Sequence, residues 1–206
     1  MPDAPSGWVV VVPVKGTTRG KSRLSVDGVD RVALARAIAL DTVAAAASCP
    51  QVEKVIVVTD EATLPLHAAD IPGLRFIPEG DARGLNAAIA AGMAAAGEGM
   101  PRAALLGDVP ALRGEDLGVA LRAAASVDRG VVADAEGTGS TLVTARAGVP
   151  WESAFGDGSF AAHRALGCAV LEVPDDSTLR RDVDTADQLR DAAAIGLGER
   201  TSAVLG

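Results

Sequence analysis

Apolar and polar positions follow two alternating rhythms along this chain. Trp8 to Val12 (WVVVV) is a short unbroken apolar run closed by Pro13, the pattern of a strand buried on both faces of a parallel sheet. From Val29 to Ser48 the apolar residues recur at helical spacing until Pro50 stops them. The same alternation predicts a strand at Val52 to Thr59, a short helix at Ala62 to Ala69 and a short strand at Leu74 to Ile77. An Ala-rich helix at Leu85 to Ala96, a strand at Arg102 to Leu106, a helix at Glu115 to Ser126 and a strand at Gly130 to Ala133 follow. This βαβαβ order predicts an α/β fold, a Rossmann-like, mostly parallel sheet with helices on both faces. Beyond Gly137 the rhythm changes. Gly137 to Thr144 reads as a turn feeding a strand, Phe160 to Leu166 as a short helix, Ala169 to Val173 as a strand and Thr185 to Ile195 as a final helix. This second half reads as an insertion closing over the edge of the sheet. The expected organisation is a single domain over 1–206, a nucleotide-binding half to about residue 136 and an acceptor-binding half after it.

Composition narrows the function classes. A chain of 206 residues suits one domain, and with aromatics at only 2% its core must be built of Ala, Val and Leu. A formal charge of −8 argues against nucleic acid as a partner, since phosphate-backbone binding needs an extended basic face. No apolar run approaches the roughly 20 residues of a membrane helix, so no membrane partner is expected. Residues 1–7 lack the pattern of a signal peptide. Cys49 and Cys168 form no metal or redox spacing and read as reduced core residues, which places the protein in the cytoplasm.

Against that acidic background the loop after the first strand, VKGTTRGKSRL, carries Lys15, Arg19, Lys21 and Arg23 without an acidic residue. A glycine-containing cationic loop at the carboxyl end of a parallel strand is how open α/β sheets present a phosphate site. A solvated surface loop is the competing reading. Asp108, in LLGDVP, follows the fourth predicted strand at the same kind of position; taken alone it is better explained by a turn before Pro110. Asp182 and Asp184, in RRDVDT, are two residues apart, a spacing that in extended backbone points both carboxylates to one side. Like charges so placed repel unless a cation lies between them, and magnesium, a hard ion bound by few carboxylates plus phosphates, suits the set. The alternatives are an N-cap role for Asp184 and neutralisation of the pair by Arg180 and Arg181. Two glycine-bearing segments are further anion sites: GDARGLN (Gly80 to Asn86), which enters a helix, and FGDGSF (Phe155 to Phe160), where Ser159 would cap the next helix. Thr138 and Thr141 in GTGST could add hydroxyls to the second site. His163 could reach the same anion or pack locally.

Six segments in this order, PVKxxxxxKSRL, GLNxAI, LGDVP, GTGST, FGxGSFxxH and DVDT, resemble the 2-phospho-L-lactate / phosphoenolpyruvate guanylyltransferase family of coenzyme F-420 biosynthesis. The resemblance runs from about Val9 to Leu189. It implies the nucleotide-diphospho-sugar transferase fold and transfer of GMP from GTP to a phosphorylated three-carbon acid, with release of pyrophosphate. It also implies that Asp108, Asp182 and Asp184 hold Mg2+, that Thr138, Gly156 and Ser159 bind the acceptor's phosphate, and that Gly84, Leu85 and Asn86 line the nucleotide side. Lys15, Lys21 and Arg23 would meet the GTP phosphates and, with Asp108, form the catalytic set. Phosphoenolpyruvate ranks first as acceptor, 2-phospho-L-lactate second and 3-phosphoglycerate third. A homodimer is compatible with this reading. Two rivals stand beside it: a nucleotidyltransferase of the molybdenum-cofactor guanylyltransferase type, and a nucleotide-binding module without catalysis.

Overall fold

β1 (Trp8–Pro13) is buried at every position, as its unbroken apolar run requires. In the computed structural model, which describes residues 7–15, 24–81 and 84–206, it lies in the interior of a seven-stranded sheet. The chain continues through α1 (Arg31–Ser48), β2 (Val52–Val58), α2 (Leu64–His67), β3 (Leu74–Ile77), α3 (Leu85–Ala96), β4 (Arg102–Leu105) and α4 (Gly114–Ala124). Then come β5 (Arg129–Ala133), β6 (Ser140–Ala145), α5 (Ser159–Ala165), β7 (Ala169–Val170), a 3-10 turn (Thr178–Arg180), α6 (Ala186–Ile195) and α7 (Glu199–Leu205). Side chains alternate across the sheet. Val10, Val12, Val55 and Val57 face α1 and α4, while Val9, Val11, Ile56 and Val58 meet Ile89 and Met93 of α3. The helices therefore cover both faces, as expected. No helix among the described residues is long and apolar enough to cross a membrane.

The strand order is β3-β2-β1-β4-β6-β5-β7, with β1 to β4 mutually parallel where they pair and β6 antiparallel to both its neighbours. The chain reverses its direction of travel across the sheet between β1 and β4, a topological switch point that opens a crevice at the carboxyl ends of the strands. Lys15 leaves β1 at that edge and is exposed; Asp108 follows β4 at the same edge.

The later part of the chain does not close over the sheet's edge, as the sequence suggested. It enters the sheet: β6 sits between β4 and β5, with all six of its residues buried. The cause is the turn joining β5 to β6. The Asp134 carboxylate accepts the amide hydrogens of Thr138 (2.9 Å) and Gly139 (2.6 Å), and the Asp134 amide donates to the Gly139 carbonyl (3.1 Å). A Cβ on Gly139 would stand 2.3 Å from Asp134 Oδ2, so only glycine lets the carboxylate seat there. So tight a return makes β6 run back antiparallel along β5, and its other edge pairs with β4.

Two further differences have local causes. The last strand ends at Val170 rather than Val173 because among the described residues it pairs with β5 alone, over two residue pairs. α7 escapes sequence reading because its cap is remote: Asp41, buried on α1, accepts from the amides of Arg200 (3.1 Å) and Thr201 (2.7 Å). Asp41→Ala removes that cap and leaves two amides to find water. We expect a loss of roughly 1–3 kcal/mol, read as a lower urea midpoint with unchanged slope. An unchanged midpoint would show that α7 is held by its apolar contacts alone.

Candidate active site

The loop after β4 and the segment before α6 are joined by one backbone bond, Val183 N–H to the Asp108 carbonyl at 2.9 Å. Val183 is fully buried in a cluster with Leu24, Leu34 and Ile38, which fixes the flanking residues with their side chains on the other side. Asp182 and Asp184 accordingly line the same cavity as Asp108, as their two-residue spacing predicted. The segment leading there is held from both ends. Thr178 donates its amide (2.9 Å) and hydroxyl (2.5 Å) hydrogens to Asp116 on α4, and its Oγ1 accepts from the amide of Arg113 (3.0 Å). Downstream, Thr185 and Gln188 form a reciprocal capping box on α6. The N-cap is thus Thr185 and not Asp184. The guanidinium of Arg180 goes to the Asp175 carboxylate (2.8 Å) and the Asp134 carbonyl (3.3 and 3.1 Å), and Arg181 donates to the Asp175 carbonyl.

The cavity has a volume of about 530 Å³. Its acidic wall is broader than the sequence indicated. Asp134, Glu136 and Asp182 each place a carboxylate oxygen within 4.8 Å of the others. Burial first, and then the negative charges of Asp108, Asp134, Asp184 and Glu136, push the Asp182 carboxyl up to about 7. Among the described residues, Asp182 Oδ1 is buried without a hydrogen-bond partner. A buried acceptor grouped with several carboxylates at a cavity is an oxygen set that could hold a hard divalent cation. Asp134 and Glu136 were missed by sequence reasoning, although one signal was present. Asp134 follows β5 directly, at the carboxyl edge of the sheet, much as Asp108 follows β4.

The facing wall is made of two glycine-bearing loops. Thr138, Gly156 and Ser159 all line the cavity, and the Phe160 amide donates to the Thr138 carbonyl (3.1 Å), which joins the loops. The N-cap of α5 is Gly158, with φ of 68°, so Ser159 is the first residue of the helix and is buried instead of capping it. His163 is fully buried and does not reach an anion. Its Nε2 accepts from the Ala154 amide (2.9 Å), so Nδ1 carries the proton toward Ser140 Oγ (3.0 Å). Burial keeps its pKa below the usual histidine value. Leu85 reaches the cavity and Gly84 is the N-cap of α3, but the Asn86 carboxamide is bonded to the backbone of Phe155. Lys21 and Arg23, like Arg19, lie outside the described residues.

These features can be set beside known proteins. The family model described as "Guanylyl transferase CofC like" matches residues 8–205. The chain belongs to that family. Among its relatives, a phosphoenolpyruvate guanylyltransferase of Thermomonospora curvata is 48% identical, over 98% of this chain and 90% of that one. Another protein of that name, from Streptomyces coelicolor, is 46% identical over 96% of this chain and 95% of its own. Solved structures share the fold at lower identity. A nucleotidyl transferase from Methanothermobacter thermautotroptrophicus gives a TM-score of 0.62 at 21% identity, covering 92% of this chain and 97% of that one. The 4-diphosphocytidyl-2C-methyl-D-erythritol synthase of Anaerococcus prevotii gives 0.59 at 14% identity, over 91% and 97%. The fold of this guanylyltransferase is therefore the one shared by nucleotide-diphospho-sugar transferases.

The crowding at Asp182 has a measurable consequence. Its folded pKa of about 7 stands above that of an unfolded aspartate, so the group destabilises the metal-free protein progressively as pH rises from about 4 through 7. Asp182→Asn abolishes that penalty. In chelator-treated protein the variant should melt several degrees above the wild type at pH 8 and together with it near pH 4. A pH-independent difference would mean that burial and the neighbouring carboxylates together do not raise the Asp182 pKa as described.

Proposed function

We propose that this guanylyltransferase moves GMP from GTP to the phosphate of a phosphorylated three-carbon acid, with phosphoenolpyruvate ahead of 2-phospho-L-lactate and 3-phosphoglycerate, in the biosynthesis of coenzyme F-420. The observation that carries the reading is the cavity itself. It sets Asp108, Asp182 and Asp184 on one wall and Thr138, Gly156 and Ser159 on another, within a volume suited to small phosphorylated ligands. Relatives over nearly the full chain bear the name phosphoenolpyruvate guanylyltransferase. In this reading the chain to about residue 136 serves the nucleotide and the remainder the acceptor. Lys15, with Lys21 and Arg23, meets the GTP phosphates, and Gly84 and Leu85 line the nucleotide side.

The acceptor's phosphate has a second pKa of about 6 and is already largely dianionic near neutral pH, so no general base is needed. This agrees with a site whose neighbouring histidine is buried and engaged. One phosphate oxygen of the acceptor forms a bond to the α-phosphorus of GTP, and the bond from that phosphorus to the bridging oxygen of the β-phosphate breaks, releasing pyrophosphate. The obstacle is electrostatic. Like unit charges roughly 4 Å apart repel by about 4 kcal/mol at an effective dielectric near 20. Thr138 and Ser159 orient the acceptor through hydroxyl hydrogen bonds, and Lys15 brings positive charge to the phosphates of GTP. Asp108, Asp182 and Asp184 would hold Mg2+, which when bound supplies the positive charge that offsets repulsion between the two anions.

The test is an incubation of the protein with magnesium, GTP and the three acids at equal concentration, with pyrophosphate release and product masses as readouts. The guanylyl ester of phosphoenolpyruvate should dominate. Some cross-reaction is expected, since a methylene-sized difference is worth only roughly 1–3 kcal/mol. A lactyl or glyceryl product in excess would reverse the order of acceptors, and pyrophosphate release with none of them would overturn the proposed function. Asp184→Asn should lower turnover roughly a hundredfold or more while leaving the far-UV spectrum unchanged. Near-normal turnover would remove Asp184 from the metal-holding set.

A further inference from the structure

The acceptor loop begins with two residues that are held by side chains from opposite sides. Asn86, in the first turn of α3, donates Nδ2–H to the Phe155 carbonyl (2.8 Å), while its Oδ1 accepts the Phe155 amide hydrogen (2.9 Å). A carboxamide offers donor and acceptor at the spacing of a peptide unit, so it pairs with Phe155 as a neighbouring strand would. One residue earlier, His163 Nε2 takes the Ala154 amide hydrogen at 2.9 Å, and Nδ1 is fixed on Ser140 Oγ of β6. The Phe155 ring also stands edge-on to the His163 ring, with centroids 4.7 Å apart. Immediately afterwards come Gly156 at φ 141° and Gly158 at φ 68°, conformations with few steric limits of their own. The course of that loop depends on how its entry is held.

The geometry points to Asn86 and His163 as positioning residues for acceptor recognition: they fix Ala154 and Phe155 and thereby aim Gly156 and Ser159 into the cavity. This rests on the reading in which Gly156 and Ser159 bind the acceptor's phosphate, and it moves the side chain of Asn86 from the nucleotide to the acceptor. Neither residue touches the reacting atoms. His163 is held neutral and Asn86 carries no charge, so both act through geometry alone.

Asn86→Asp keeps the shape and removes the donor toward the Phe155 carbonyl; Asn86→Ala removes both bonds to Phe155 and the longer one from Ser153 Oγ (3.4 Å). Both substitutions fall at an exposed residue, where folding should survive. Steady-state pyrophosphate release should show a KM for phosphoenolpyruvate raised roughly tenfold or more, with the KM for GTP changed less than about twofold. Hydrogen exchange of the ligand-free protein should speed up across residues 153–159 and stay unchanged within α3. At the buried site, His163→Gln retains an acceptor and should disturb the acceptor KM less than His163→Leu. A KM for GTP that rises as much as that for the acid would overturn the inference and return Asn86 to the nucleotide side. Faster exchange with both KM values unmoved would overturn it too, leaving the contact a structural one. Wild-type protein that turns over none of the three acids would instead defeat the proposed function, and the exchange result would still decide whether Asn86 holds the loop.

Discussion

Burial of Asp182 among other carboxylates at the carboxyl edge of the sheet is the constraint around which the cavity is built. Asp182 stands at its centre, buried and facing Asp108, Asp134, Asp184 and Glu136. Left to themselves these groups would separate. They are kept together by bonds that do not use their own carboxylates: Val183 to the Asp108 carbonyl, Thr178 to Asp116, Arg180 to the Asp134 carbonyl and the Thr185/Gln188 cap. The apolar anchor of Val183 in the cluster under α1 completes the hold. A structure that brings like charges together in a partly desolvated cavity stores unfavourable energy there. A buried acid perturbed in this way and lining a cavity marks a candidate functional site.

Asp134 ties this acidic wall to the loops opposite. Its carboxylate sits near Asp182 and Glu136 while accepting the amides of Thr138 and Gly139, so one side chain both adds charge to the cluster and shapes the GTGST turn. The Thr138 carbonyl in turn receives the first turn of α5, and α5 carries His163 back to the entry of the FGDGSF loop. The two walls of the cavity are therefore one hydrogen-bonded unit. A cation drawn to the carboxylates and an anion held by the loops would sense each other through Asp134 as well as through space.

Much of this was legible in the linear pattern, and particular residues show why. Leu74 to Ile77 and Leu85 to Ala96 were delimited to the residue, because each is a periodic run bounded by glycine or proline, signals that act within a few positions. Asp182 and Asp184 could be paired for a similar reason: strand alternation is a local rule, and the buried Val183 between them obeys it. Glu136 and Asp134 were hidden because their nearness to Asp182 spans almost fifty residues of chain and depends on where the turn after β5 is placed. Ser159 was misassigned as a cap, and the capping alternative for Asp184 failed, each through a shift of one residue, the scale at which helix ends are least determined by sequence.

Periodicity, turn residues and the ordered run of short motifs determined the class of fold, the edge of the sheet that bears the site, and the family. These properties follow from backbone preferences and side-chain direction, which each residue carries with it. The tertiary structure alone decided that β6 enters the middle of the sheet, that α7 is capped from α1, that Asp134 and Glu136 stand beside Asp182, and that Asn86 turns to Phe155. Each of these is a hydrogen bond or an electrostatic contact between residues far apart in sequence. Such an interaction exists only once the intervening chain has folded, and no local preference encodes it.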